Sequence, residues 1–266
     1  MLYEKIQLRP DDPDIYLESY CCDKGACESP ALLILPGGGY RILADREGEP
    51  IARAFGAEGF NCFVLHYSLN EKAAYPRPLI DAGLAVRYIR ENAERYHTDG
   101  NRLFAVGFSA GGHLCGMLGT MWHRPEIAQA VGCSSSMLKV SGVMLIYPVV
   151  SAYENPHRAT IEAVSGGDDA PDRLLTVSVE KNVDERSVPA FFMHTAGDKG
   201  VGVHHSLLGG LAYAGAGVPF EMHIYPFGPH GIALADSSTS FGNADMEDAE
   251  VAKWVALAAR WARRFF

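Results

Sequence analysis

The chain lacks several things that would point elsewhere. No run approaches the roughly 20 apolar residues of a membrane span. Residues 1–9 alternate polar and apolar side chains without the apolar core of a signal peptide, so a cytoplasmic location is expected. Basic residues are outnumbered, 23 Lys and Arg against 32 Asp and Glu, for a formal net charge of -9. Such a balance repels phosphate backbones and anionic lipid, which disfavours nucleic acid and membranes as partners. There is no internal repeat and no low-complexity tract.

Cysteine is sparse as well, with six in 266 residues. Cys62, Cys115 and Cys133 stand in apolar or small-residue surroundings and read as buried reduced thiols. Cys21, Cys22 and Cys27 cluster, but no second Cys or His pair follows at zinc-site spacing. They read as a reduced hairpin surface, and no metal or organic cofactor is expected.

What is present is an ordinary globular composition, 48% hydrophobic and 21% charged, long enough for one large domain over residues 1–266. Apolar runs of strand length alternate with longer helix-period segments, the pattern of a mainly parallel sheet flanked by helices. Strands are expected at 31–35, 61–67, 102–108, 140–147, 190–195 and 219–225. Helices are expected at 51–59, 79–96 with Pro78 as an early residue, 110–121, 204–214 and 247–266. The polar segment 151–187 is too long for a simple connection and reads as a small cap or lid.

Gly107-Phe108-Ser109-Ala110-Gly111 matches G-x-S-x-G, between a strand-like and a helix-like run. A nucleophile elbow needs that context, because a sharp strand-to-helix turn leaves no room for neighbouring Cβ atoms. The helix N-terminus beneath it favours developing negative charge. A serine nucleophile also needs preorganised N–H donors for an oxyanion. Ala110 follows the serine directly. Pro36-Gly37-Gly38-Gly39-Tyr40 follows an early strand, and Gly37 and Gly38 are chosen there as donors. A phosphate loop would continue with Lys-Ser/Thr, whereas here Tyr40-Arg41-Ile42 follows.

The serine further needs a histidine, and the histidine a carboxylate. His230 lies past the last apolar strand in a loop rich in turn formers, and Asp198 follows the strand 190–195 through a short glycine turn. Among rival histidines, His194, His204, His205 and His223 read as structural. His113, in the helix after Ser109, reads as supporting or lining the site, together with Gly39 and Tyr40 as substrate-binding residues.

With these motifs in order, the chain resembles bacterial carboxylesterases of the α/β-hydrolase superfamily. More closely, it looks like the acetyl esterase and acetylxylan esterase-like group of the hormone-sensitive-lipase-related hydrolases. The resemblance runs from about residue 33 to 234. It rests on Leu35-Pro-Gly-Gly-Gly-Tyr40, Arg46-Glu-Gly-Glu-Pro50, Gly107-Phe-Ser-Ala-Gly-Gly-His-Leu114, His194-Thr-Ala-Gly-Asp198 and His230-Gly231. It implies an α/β-hydrolase fold with Ser109 as nucleophile, Asp198 as acid, His230 as base, and Gly37, Gly38 and Ala110 as oxyanion donors. It further implies a short-chain, acetyl-type ester substrate, on sugars or xylo-oligosaccharides. Three departures stand out: Pro36 where lipase relatives often have His, Gly202 where Val-Pro is common after the acid, and Gly197 where a second Asp is frequent. A catalytically silent hydrolase that binds a ligand, and a peptidase or other ester hydrolase, are the competing readings. A homo-oligomer is left open.

Overall fold

The computed structural model describes residues 1–23 and 28–266. Eight strands form one sheet: β1 (Leu2–Gln7), β2 (Tyr16–Cys21), β3 (Ser29–Leu35), β4 (Asn61–His66), β5 (Thr98–Phe108), β6 (Gly142–Ile146), β7 (Ala190–Thr195) and β8 (Phe220–Tyr225). Their spatial order is β1-β2-β4-β3-β5-β6-β7-β8. The β1/β2 and β2/β4 pairs are antiparallel. From β4 to β8 every pairing is parallel.

The unbroken apolar run of β3 follows from cover on both faces. Successive side chains of a strand point to opposite sides. Accordingly Leu33 and Leu35 enter one core cluster, with Phe63 and Ala105, while Leu32 and Ile34 enter the other, with Val64 and Phe104. Helix α1 (Glu49–Ala57) and the C-terminal Trp254–Ala262 helix cover the second face. On the first face lie α2 (Arg77–Glu91) and α3 (Ser109–Met121), the latter buried along its whole length.

Two helices are shorter than their apolar spacing suggests. The 79–96 pattern stops at Glu91, where Asn92 donates its side-chain amide to Tyr88 O and His97 turns left-handed at φ 49°. Tyr96 is drawn instead into the core, its hydroxyl donating to Glu4. At the C-terminus, Asp248 accepts the N–H groups of Glu250 and Val251, so the chain turns there before regular helix begins at Trp254. The cysteine reading also changes. β2 pairs with β1 and β4 and not with β3, so there is no hairpin between them. Cys21 is buried, Cys22 exposed, Cys133 half-buried, and Cys27 lies outside the described residues.

Segment 151–187 carries two short helices, Arg158–Ser165 and Pro171–Thr176, and a 3-10 turn, Val179–Lys181. Backbone bonds from Tyr75 N to Val164 O and from Val179 N to Val150 O tie it down. Because β3, β5, β6, β7 and β8 run the same way, their carboxyl ends share one rim, where open α/β sheets place their sites.

The tightest packing on that rim is at the glycines around Ser109. A Cβ on Gly107 would lie 2.2 Å from Gly111 O and 2.6 Å from Cys115 Cβ. Gly107→Ala therefore lowers stability by about 1–3 kcal/mol, read as a reduced guanidinium midpoint against wild type; an unchanged midpoint would contradict this packing.

Candidate active site

Ser109 sits at φ 52°, in the left-handed region that a non-glycine residue enters at a cost of about 1–2 kcal/mol. Phe108 before it is extended, and α3 starts at the serine itself. The turn is possible because neighbouring backbone comes closer than a side chain allows. A Cβ on Gly111 would stand 2.1 Å from Leu35 O. Ser109 O is held by Val149 N at 3.1 Å.

His230 Nε2 lies 2.8 Å from Ser109 Oγ, and His230 Nδ1 lies 2.7 Å from Asp198 Oδ2. The acceptor-only carboxylate fixes the hydrogen on Nδ1, leaving Nε2 to accept from the serine hydroxyl. The Asp198 side chain is fully buried, and that of His230 is 28% exposed. Three glycines let the acid and histidine loops meet. A Cβ on Gly200 would lie 2.8 Å from His230 Cβ, and one on Gly197 would lie 3.2 Å from Gly228 O. Gly228 adopts φ 130°, and its carbonyl accepts from Thr195 Oγ1 at 2.7 Å. At Gly197 the two loops thus approach closely, and a Cβ there would require the Gly228 backbone to give by a few tenths of an ångström.

The acid turn is firmly held despite Gly202. Asp198 Oδ1 accepts the N–H groups of Gly200 and Val201 at 2.8 and 2.9 Å. His194, read as structural, is buried on the same turn: Nε2 donates to Val201 O at 2.9 Å and lies 3.3 Å from Asp198 Oδ2, while Nδ1 pairs with Ser206. Burial pushes the Asp198 carboxyl up, but the hydrogen bonds from His194 and His230, the His230 charge and the Val201 N–H outweigh it. The carboxyl is held well below the usual carboxylate range.

The glycine loop lies directly against the serine, for a Cβ on Gly37 would stand 3.0 Å from Ser109 Cβ. Its donors differ from the sequence choice in one respect. Gly37 gives its N–H to the buried carboxylate of Glu47 at 2.7 Å and so points away from the serine's solvent side. Among the described residues, the N–H groups of Gly38, Gly39 and Ala110 donate no hydrogen bond. Gly38 and Gly39 take φ 128° and 67°, and both are half-exposed.

Tyr40 and His113 are placed differently from expectation. Both are completely buried and offer a substrate no surface. His113 stands one helical turn after Ser109, on the inward face of α3. Its Nε2 donates to Val177 O at 2.7 Å, which leaves Nδ1 to accept the Tyr40 hydroxyl at 3.0 Å. Burial pushes the imidazole down to about 4, keeping it neutral. Tyr67 donates to Pro36 O at 2.5 Å and packs edge-on against Tyr40. These side chains brace the glycine loop from below.

The rival histidines of the same region have separate partners. His205 accepts from Val150 N and Ser151 N, His204 faces Glu154 O, and His223 pairs with Glu221. His157, in the 151–187 segment, pairs with Thr160, whose hydroxyl oxygen is the atom nearest the open side of Gly39, 4.0 Å from the position of a Cβ there. Among the described residues no cluster of three His, Cys, Asp or Glu side chains is placed to hold a metal ion. Nor is any helix among them long and apolar enough to cross a membrane.

Among the residues in contact with this geometry to which the sequence assigns no role are Glu47, Tyr147 and Gly200. Glu47 stood inside the Arg46–Pro50 marker, which was the available signal. For Tyr147, at φ 36°, and Gly200 there was none.

The family described as BD-FAE matches residues 14–208. A protein named endo-1,4-beta-xylanase B, from Butyrivibrio fibrisolvens, is 35% identical over 228 residues, or 81% of this chain. An acetylxylan esterase of Xylanibacter ruminicola is 27% identical over 77% of the chain. The chain spans only 35% and 41% of the length of these two relatives. Among solved structures, an acetyl ester-xyloside bifunctional hydrolase from Caldicellulosiruptor lactoaceticus superposes with a TM-score of 0.85 at 31% identity, covering 98% of this chain and 96% of that one. A carboxylesterase of Lactobacillus plantarum gives 0.86 at 27% identity, covering 99% and 98%.

The low carboxyl pKa has a consequence for stability. The fold favours the charged Asp198, so its contribution is complete above the ordinary carboxylate value of about 3.9 and fades as pH falls below it. Asp198→Asn is expected to cost about 1–3 kcal/mol at pH 7, by leaving buried donors short of an acceptor. Guanidinium denaturation at pH 7 and pH 3 checks this: the gap between the two proteins should narrow at pH 3, and a gap that widened there would contradict the sign.

Proposed function

The chain belongs to the BD-FAE family and has the α/β-hydrolase fold, and from that premise we propose that it is a serine carboxylesterase acting on short acyl, chiefly acetyl, esters of small sugars. The observation that carries the reading is the unbroken relay from Ser109 Oγ through His230 to Asp198, set beside N–H groups that bond to nothing else.

The reaction follows from those positions. Ser109 Oγ attacks the ester carbonyl carbon as its proton passes to His230 Nε2, and the carbonyl π pair moves onto oxygen. Gly38, Gly39 and Ala110 N–H groups receive that oxyanion, in place of the Gly37 donor chosen from the sequence. Asp198 keeps the imidazolium oriented and favours its charge. His230 then protonates the leaving alkoxide, the C–O bond breaks, and an acyl-serine remains. Water, deprotonated by the same histidine, adds to the acyl carbon; collapse releases the acid and returns the proton to Ser109. Besides the ester and water, these steps use only groups of this chain.

The substrate class is supported by the relatives' names, an acetylxylan esterase and an acetyl ester-xyloside hydrolase. The chain's acidic balance suits neutral sugar esters over anionic ones. We place the enzyme in the cytoplasm, acting on small imported esters, with segment 151–187 as a cap beside the glycine loop, where Thr160 Oγ1 lies 4.0 Å from the position of a Cβ on Gly39.

The test is hydrolysis of p-nitrophenyl acetate, butyrate and octanoate by wild type and by Ser109→Ala. Wild-type activity should fall with acyl length, and Ser109→Ala should lose about 1,000-fold or more of kcat. A folded Ser109→Ala that retained turnover would overturn the assignment, and octanoate preferred over acetate would overturn the short-acyl part.

A further inference from the structure

Glu47 is a buried carboxylate that the steps above leave unused. It ends a 3-10 turn (Asp45–Glu47) just beyond the glycine loop, and Ala44 N bonding to Gly37 O folds that turn back on the loop. The side chain is 3% exposed. Its Oε2 accepts the Gly37 N–H at 2.7 Å, and its Oε1 accepts the Tyr147 hydroxyl at 2.9 Å. Tyr147 Oη in turn accepts Ala233 N–H at 3.1 Å, and its ring meets His230 edge-on with centroids 5.2 Å apart. A Cβ on Gly231, the residue after His230, would lie 4.0 Å from Glu47 Oε1.

We infer that Glu47 is a positioning residue of the hydrolytic reaction, one that locks the glycine loop and the His230 loop into mutual register through Gly37 and Tyr147. The inference rests on the serine-esterase reading. Three segments that follow different strands, β3, β6 and β8, converge on this one carboxylate. By taking the Gly37 N–H, it fixes which face the loop turns to Ser109 and leaves Gly38 and Gly39 to point their N–H groups elsewhere. Through Tyr147 it bears on the ring of the proposed base.

The bonding pattern calls for the ionised form. Gly37 can only donate, and an ionised carboxylate accepts both its N–H and the Tyr147 hydroxyl. A protonated carboxyl would have to turn its proton on Tyr147 Oη, displacing the phenol proton from this bond. Burial outweighs the hydrogen bonds from Tyr147 and Gly37 and the nearby His230 and Arg46 charges, and holds the Glu47 carboxyl above its ordinary value. Burial and the Glu47 charge push the Tyr147 phenol far up, so it stays a donor. A purely structural contact could be filled by neutral, well-packed groups without that desolvation cost.

The test compares wild type, Glu47→Gln, Tyr147→Phe and the double variant on p-nitrophenyl acetate, with melting temperature followed by circular dichroism. Glutamine keeps the shape but turns an NH2 toward one of two donors. The expected result is a kcat lowered about 10- to 100-fold, as for slight misplacement of reacting groups, with KM within about 2-fold of wild type, since the bonds lie behind the loop and not against substrate. Tyr147→Phe should give a smaller fall, and the double variant should be no slower than Glu47→Gln, because both act through one relay. Glu47→Gln with wild-type kcat overturns the inference alone, as does a double variant in which the two losses multiply. Unfolding of both single variants would make the role structural and overturn it too. An inactive wild type would overturn the esterase reading and this inference together.

Discussion

Everything at the rim depends on the left-handed turn at Ser109. A serine at φ 52°, where β5 ends and α3 begins, is held there by the close-packed backbone around it. Gly107 and Gly111 allow backbone to approach within distances that any Cβ would block. The helix that begins at the serine is buried for its whole length, so it cannot relax outward. A local strain of about 1–2 kcal/mol is thereby maintained by two core clusters packed on either side of the sheet.

The remaining parts are fitted to that fixed point through loops from separate strands. Gly200 lets the acid loop pass against His230, where a Cβ would meet the imidazole side chain at 2.8 Å, and Gly197 eases the passage of the same loop by Gly228. Asp198 is anchored four ways, by two backbone N–H groups, His194 and His230. On the other side the glycine loop is braced from below by Tyr40, Tyr67 and His113, and from behind by Glu47. Charge is distributed accordingly. A buried anion stands at Asp198, where a positive imidazolium would develop, and N–H groups without a partner among the described residues stand beside the serine, where a negative oxygen would develop.

The chain order of Ser109, Asp198 and His230 was legible in the sequence because each residue travels with backbone requirements: glycines around the serine, a glycine turn before the acid, and turn formers around the histidine. The sheet was legible for a similar reason, since β3 to β7 carry apolar runs long enough to be buried on both faces. What could not be read was direction. Nothing in Pro36-Gly37-Gly38-Gly39 says which N–H faces the serine, and only the position of Glu47 decides that Gly37 does not. Tyr40 and His113 are polar residues beside the site and so suggested substrate contact. Their burial depends on the inward face of α3 and on Val177, distant in sequence. A glutamate in a turn rich in charge reads as solvated, and tertiary packing alone made Glu47 interior. The C-terminal pattern over 247–266 carried helical periodicity, but the Asp248 carboxylate, accepting the N–H groups of Glu250 and Val251, caps the run there, so that it starts as a 3-10 turn at Val251 and not at Glu247.

The central claim is that Ser109 becomes covalently acylated through His230. It is tested most directly by treating the protein with diethyl p-nitrophenyl phosphate and locating the adduct by peptide mass spectrometry, with His230→Ala alongside. The account predicts one diethylphosphoryl group on Ser109, formed far more slowly in His230→Ala. A wild-type protein that hydrolyses esters while carrying no label on Ser109, or labels as fast without His230, would contradict it.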